Sequence, residues 1–149
     1  MEIQRWSADS AASGTSTYRL SSILRRDMRI IGIDPGKVSG VVLILDGEIL
    51  NEGETTSLRG IYTSLDSFSP DVIVIENFIA GFRWRGRDAE SPIKIIGVCE
   101  LYAEMQDREI TIFRSNPSCL QGKVRPRGMS PHIFSARVHA LSYLERISK

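Results

Sequence analysis

From Met28 onward the apolar positions fall into short alternating or continuous runs, and each run predicts an element. Residues 28–34 ("MRIIGID") read as a strand, "SGVVLIL" (39–45) as a second and "EILNEG" (48–53) as a third. The Asp46-Gly47 pair between the last two has the residue types of a tight hairpin turn, so the three strands make an antiparallel meander. Leu58, Ile61, Tyr62 and Leu65 then recur at helical spacing behind Ser57, a good N-cap, and the pattern stops before Pro70. "DVIVIE" (71–76) is nearly continuously apolar, which suits an interior strand buried on both faces. Beyond a polar loop, Ser91 and Pro92 supply an N-cap and a first-turn residue for a helix to about Gln106, whose apolar residues wrap most of its circumference. "EITIF" (109–113) reads as a fifth strand, residues 114–130 as a basic loop and residues 131–147 as a final helix. The order βββαβαβα predicts an α/β domain on a mixed five-stranded sheet.

Residues 1–27 break the pattern. They are rich in Ser, Ala, Gly and Thr, with little apolar periodicity before Leu20, Ile23 and Leu24, so a flexible N-terminal extension is expected there and a folded domain over 28–149. A chain of 149 residues, 42% of them hydrophobic, has material for one core and no room for a second domain. Nineteen Lys and Arg against 18 acids give a net charge of +1, so any case for nucleic acid rests on where the charges fall. Cys99 and Cys119 have neither zinc nor redox spacing, which argues against a disulfide scaffold or a zinc finger and fits a reducing cytoplasm. No run approaches the roughly 20 apolar residues of a membrane span, and the first residues lack a signal peptide's apolar centre, so no membrane partner is expected.

The order of elements decides where two acids go. A right-handed crossover from the meander through one helix most simply lays strand 71–76 beside and parallel to strand 28–34. Asp34 and Glu76 end those strands, and parallel neighbours ending in carboxylates bring them together at the sheet's carboxyl edge, where open α/β sheets bind ligands. Two unpaired anions there would repel and raise one pKa unless a divalent cation sat between them. Asp34 and Glu76 are therefore the expected halves of a hard-metal site.

At these residues the chain resembles a known family. "IGIDPGKVSG", "DVIVIENF", "SPIKIIGVCELYA" and "HIFSARVHALSYL" are similar, in that order, to the RuvC-type Holliday junction resolvases, particularly their bacteriophage branch, within the ribonuclease H-like superfamily. The resemblance runs from Met28 to Leu144 and implies a ribonuclease H-like fold with helices on both faces of the sheet. It further implies a homodimer that binds four-way DNA and nicks opposed strands with two Mg²⁺ (or Mn²⁺) ions about 3.5–4 Å apart. Asp34 would bridge the metals and Glu76 would bind one. In the family the last helix carries His or Asp and, three residues on, Asp followed by Ala; here the positions read His132, Ser135 and Ala136, so His132 can serve but the final carboxylate is missing. Neutral Ser removes an anionic oxygen from a site whose affinity for hard cations needs it. Asp88, Glu90 and Glu100 are the acids available to compensate, although none has matching spacing. His132, Ser135 and His139 share one helix face at i, i+3 and i+7, and without the family both histidines would read as ordinary helix residues.

Basic residues gather in two segments. "GFRWRGRD" puts Arg83, Arg85 and Arg87 around Trp84, cations with an aromatic plate that suit phosphates and an exposed base at a branch point. Arg114, Lys123, Arg125 and Arg127 lie in the loop before the last helix, so both segments should flank the metal edge, with Phe78 or Phe82 as a wedge or as packing. The sequence thus reads as a divalent-metal endonuclease for branched DNA, impaired at Ser135. A catalytically silent branched-DNA-binding module and an RNA-processing nuclease on the same fold are the alternatives.

Overall fold

In a computed structural model the placement of residues 27–77 and 87–149 is described, the side chains of Arg87 and Asp88 excepted. The expected extension over 1–27 and the aromatic-basic segment around Trp84 therefore fall almost wholly outside the described residues. Five strands form one sheet: β1 (Arg29–Asp34), β2 (Ser39–Leu45), β3 (Glu48–Thr55), β4 (Val72–Glu76) and β5 (Thr111–Ser115), in the spatial order β3-β2-β1-β4-β5. β1 pairs antiparallel with β2, and β2 with β3; β1 and β4 pair in parallel, as do β4 and β5. Asp46 and Gly47 both take positive φ, 52° and 85°, as the tight turn between β2 and β3 requires.

Period-two alternation divides the sheet between two cores. Ile31, Ile33, Val41, Leu43, Ile73 and Ile75 point to one face and are covered by α1 (Leu58–Phe68) and α2 (Arg87–Glu104), through Ile61, Leu65, Phe68, Ile95, Cys99 and Tyr102. Ile30, Val42, Ile44, Val72 and Val74 point to the other, under α3 (Pro131–Ser148) and its Ala136 and Ala140. Helices thus lie on both faces. α1 begins where expected, with the Ser57 side chain accepting from Gly60 N at 3.0 Å, and ends at Ser69 in the left-handed region (φ 51°) before Pro70. α3 starts at Pro131 behind Ser130, whose Oγ accepts from His132 N at 3.1 Å.

Three expectations need correction. α2 begins at Arg87, so Pro92 stands inside the helix and Ser91 is no cap. Near a helix start a proline forfeits a single backbone bond, and here the Glu90–Lys94 ion pair spans it at i, i+4. β5 covers 111–115 where 109–113 was expected, because Thr111 registers with Val72 and Glu76 with Ser115. A slip of two residues keeps the same side chains on the same face, so the apolar pattern could not exclude it. Arg114 consequently belongs to β5 and pairs with Glu100 at 2.5 Å, leaving the basic loop to Lys123, Arg125 and Arg127. Finally, β3 runs on to Thr55, beyond the expected Gly53.

α3 approaches the sheet more closely than any side chain there would permit. A Cβ on Gly40 would lie 2.0 Å from His132 O, and one on Gly32 would lie 2.6 Å from Ala136 O. Backbone on backbone cannot give way as a flexible side chain does, so Gly40→Ala should cost about 1–3 kcal/mol, the usual penalty of overpacking. Gly97→Ala on α2, where a Cβ meets nothing within 4 Å, should instead stabilise the chain by up to about 1 kcal/mol through helix propensity. Urea unfolding of the two variants checks this; equal losses would contradict the close approach at Gly40.

Candidate active site

Four strands contribute one row of residues at the carboxyl edge. Asp34 sits beside Gly40 of β2; Ile33 registers with Ile75, so the next positions along β1 and β4 are Asp34 and Glu76; Glu76 registers with Ser115 of β5. Asp34 follows Ile30 and Gly32 at period two, and Glu76 follows Val72 and Val74, so both carboxylates face α3. The helix crosses this row with His132, Ser135, Ala136 and His139 underneath, at i, i+3, i+4 and i+7. His132 lies over Gly40 and Asp34, and His139 over Glu76 and Ser115. Because Gly40 has no side chain, His132 reaches Asp34.

Each carboxylate meets its own histidine. His132 Nδ1 lies 3.2 Å from Asp34 Oδ2, and His139 Nε2 lies 3.4 Å from Glu76 Oε2. The second contact is fully buried on the histidine side: His139 is 0% exposed, with Nδ1 2.6 Å from Ser115 Oγ and 3.2 Å from Cys119 Sγ. Cys119 stands in a single 3-10 turn, Pro117–Leu120, directly after β5. Burial pushes the Asp34 carboxyl up to about 7, with the hydrogen bond and charge of Glu76 adding to it against the pull of His132. Glu76 is held below its ordinary value, first by His139 and then by its hydrogen bond with Asp34, in spite of its burial. Of the two carboxyls, Asp34 is therefore the one whose protonated form the site favours.

This donor set suits one hard cation better than two. Asp34 and Glu76 offer adjacent carboxylate oxygens whose mutual repulsion a cation would relieve, and His132 adds a nitrogen on the same side. A second ion lacks an acid. Ser135 brings a neutral hydroxyl to the Glu76 side, and its buried Oγ makes no aligned hydrogen bond to any described residue. Glu90 and Glu100 stand on α2, across the sheet from α3, where they pair with Lys94 of the same helix and Arg114 of β5, so neither brings a carboxylate to Ser135. Among the described residues no group of three or more His, Cys, Asp or Glu already stands in metal-holding geometry. Each acid is turned toward a histidine, and a cation would have to compete with those contacts.

Of the other expected site residues, Lys123, Arg125 and Arg127 are exposed in the loop that leaves the carboxyl end of β5, and Arg125 Nη1 donates to Met129 O at 3.1 Å. Phe78, Phe82, Arg83, Trp84 and Arg85 lie outside the described residues; Arg87 is the first residue of α2. His139 and Ser115 were not among the expected site residues. His139 shares a helix face with His132, but Ser115 becomes its neighbour only through the β4–β5 register.

No protein-family model matches the chain, and no curated protein sequence matches it. Solved structures do. The chain is similar to Thermus thermophilus RuvC solved in complex with a Holliday junction substrate, at 14% identity and a TM-score of 0.62, over 80% of this chain and 96% of that one. It is similar also to a second Thermus thermophilus RuvC structure, at 17% identity and a TM-score of 0.60, over 81% of this chain and 97% of that one. The likeness shows the fold, which is α/β, RuvC-type and ribonuclease H-like.

The raised Asp34 pKa gives a stability test that needs no cation. Between the ordinary carboxyl value of 3.8 and about 7 the native chain keeps a proton that the unfolded chain has lost, so stability drains away as pH rises through that window. The slope is at most about 1.4 kcal/mol per pH unit. Glu76, with a lowered pKa, acts in the opposite sense, its contribution being lost as pH falls. Asp34→Asn mimics the protonated acid at every pH, so its stability advantage over the parent should grow as pH rises from the ordinary carboxyl value of 3.8 and level off above about pH 7 in urea titrations. An advantage that is flat or shrinks with pH would mean that burial and Glu76 together do not raise the Asp34 pKa.

Proposed function

We propose that this chain is a structure-specific endonuclease for four-way or branched DNA, of the RuvC resolvase kind and following the bacteriophage branch of its motif pattern, with a weakened cation site. The observation that carries this reading is the row at the carboxyl edge, where Asp34 and Glu76 stand side by side under His132 on a RuvC-type fold. Asp34 and Glu76 would hold a Mg²⁺ or Mn²⁺ ion and His132 would add a donor; bound there, the ion supplies a nucleophilic water and neutralises charge on the phosphodiester. The chain's own residues do the rest. Lys123, Arg125 and Arg127 neutralise phosphates beside the edge, and Arg83, Trp84, Arg85, Arg87 and Phe78 would receive the backbone and an unstacked base at the branch point. Cutting two opposed strands needs two sites. Ile93 and Leu101 on the outer side of α2, with Met105 just past its end, are exposed and suit the contact of a homodimer.

A second reading rests on Ser135. With a hydroxyl where the family has a carboxylate, and with both acids turned to histidines, the same surface fits a branched-DNA-binding module that has lost hydrolysis. No helix among the described residues is long and apolar enough to cross a membrane.

One gel experiment separates the readings: a synthetic four-way junction is incubated with the parent, Asp34→Asn and Ser135→Asp, each with Mg²⁺ and with Mn²⁺. The parent should bind the junction and nick it slowly, better in Mn²⁺, which accepts nitrogen donors such as His132. Asp34→Asn should abolish nicking and leave binding intact or tighter, because an anion near phosphate is removed. Ser135→Asp should raise Mg²⁺-dependent nicking by at least about a hundredfold, by the added anionic ligand. A parent already as fast in Mg²⁺ as Ser135→Asp would show that another group supplies the charge. Binding without cleavage by any of the three would establish the silent module.

A further inference from the structure

We infer that His139 is the positioning residue of this site: it tethers the Glu76 carboxylate through Nε2 from inside α3, while Ser115 holds its ring from the other side. The inference rests on the reading of Asp34 and Glu76 as the cation-holding pair. His139 is fully buried between the sheet and the helix, among neighbours on α3 that include Ala136, Val138 and Ala140. A buried imidazole there gains nothing over an aliphatic side chain unless its nitrogens are used. Both have partners within reach. Ser115 Oγ lies 2.6 Å from Nδ1 and Glu76 Oε2 lies 3.4 Å from Nε2; a carboxylate can only accept, so the tether requires the ring proton on Nε2 and the Ser115 hydroxyl donating to Nδ1. Cys119 Sγ, 3.2 Å from Nδ1 and 3.8 Å from Ser115 Oγ, closes the outer side of the ring.

The two sides of the ring differ. Ser115 Oγ and Cys119 Sγ both lie against Nδ1 of His139, and Nε2 on the other side of the ring faces the Glu76 carboxylate. With one Glu76 oxygen tethered to His139, the carboxylate keeps its place beside Asp34 rather than swinging toward solvent. Outer contacts of this kind orient ligating side chains, and their loss commonly weakens metal affinity by about 10–100-fold. The Nε2–Glu76 contact is not yet an aligned hydrogen bond, so the tether leaves the carboxylate room to adjust.

The test uses the full chain with Mn²⁺ as the probe, by isothermal titration, and with ¹⁵N NMR of the histidine rings in metal-free buffer. The parent should carry the His139 proton on Nε2. His139→Leu should weaken Mn²⁺ binding tenfold or more, and His139→Gln, whose amide can still donate to Glu76, should recover to within about threefold. Ser115→Ala is the milder variant, decisive should His139→Leu not fold; it should weaken Mn²⁺ severalfold and leave His139 without its single tautomer. A metal-free parent with no proton on Nε2, or a folded His139→Leu chain binding Mn²⁺ as the parent does while Asp34→Asn does not bind, would overturn the tether and leave the cation reading standing. If the parent takes up no Mn²⁺, the cation reading fails, and the Nε2 proton with its response to Ser115→Ala decides the tether alone.

Discussion

Two carboxylates at the ends of neighbouring parallel strands repel each other, and much of the carboxyl edge is arranged around that repulsion. Asp34 and Glu76 are brought together by backbone register, which no side chain can undo without breaking the sheet. Three features of the edge bear on it: the Asp34 pKa is raised, by burial first and then by Glu76, His132 approaches Asp34, and His139 approaches Glu76. Neither histidine could be delivered by a helix riding at the usual distance above a sheet of branched side chains. Gly40 and Gly32 remove that spacing, and Ala136 and Ala140 continue the close contact along α3. The glycines are thus part of the site although they touch no ligand.

Much of this was legible in the sequence because period-two alternation survives small errors of boundary. The meander, the turn at Asp46-Gly47 and the interior strand ending in Glu76 follow from residue types alone, and with them the pairing of the two acids. The misplaced start of α2 has a local cause: Ser91-Pro92 has the chemistry of a helix entrance, but Ala89 and Glu90 before it also favour helix, and tertiary packing settles which wins. β5 slid by two residues, which parity cannot detect, and that slip moved Ser115 into the row beside Glu76. His139 was passed over for the same reason. Its importance depends on what stands beneath it, and its neighbour was hidden in a segment read as loop.

Ser135 separates this chain from the pattern its motifs otherwise follow. In a two-ion site the absent carboxylate would face the second ion, and the described residues offer no substitute acid at that position. On the proposed function, what remains is a one-ion donor set with two histidines, one at each acid. Such a centre would keep its phosphate contacts while losing much of its rate, since phosphate contacts and charge stabilisation are separate contributions. The match to Thermus thermophilus RuvC over most of both chains, at 14–17% identity, is a likeness of fold, and a fold by itself does not carry a function.

The central claim is that Asp34 and Glu76 form one cation-binding centre limited by Ser135. A crystal of the chain soaked in MnCl₂ and measured at the manganese absorption edge tests it most directly. The account predicts a single anomalous peak within bonding distance of both carboxylates, and no second peak beside Ser135. Two well-occupied peaks would contradict the limitation, and no peak between Asp34 and Glu76 at millimolar Mn²⁺ would contradict the centre itself.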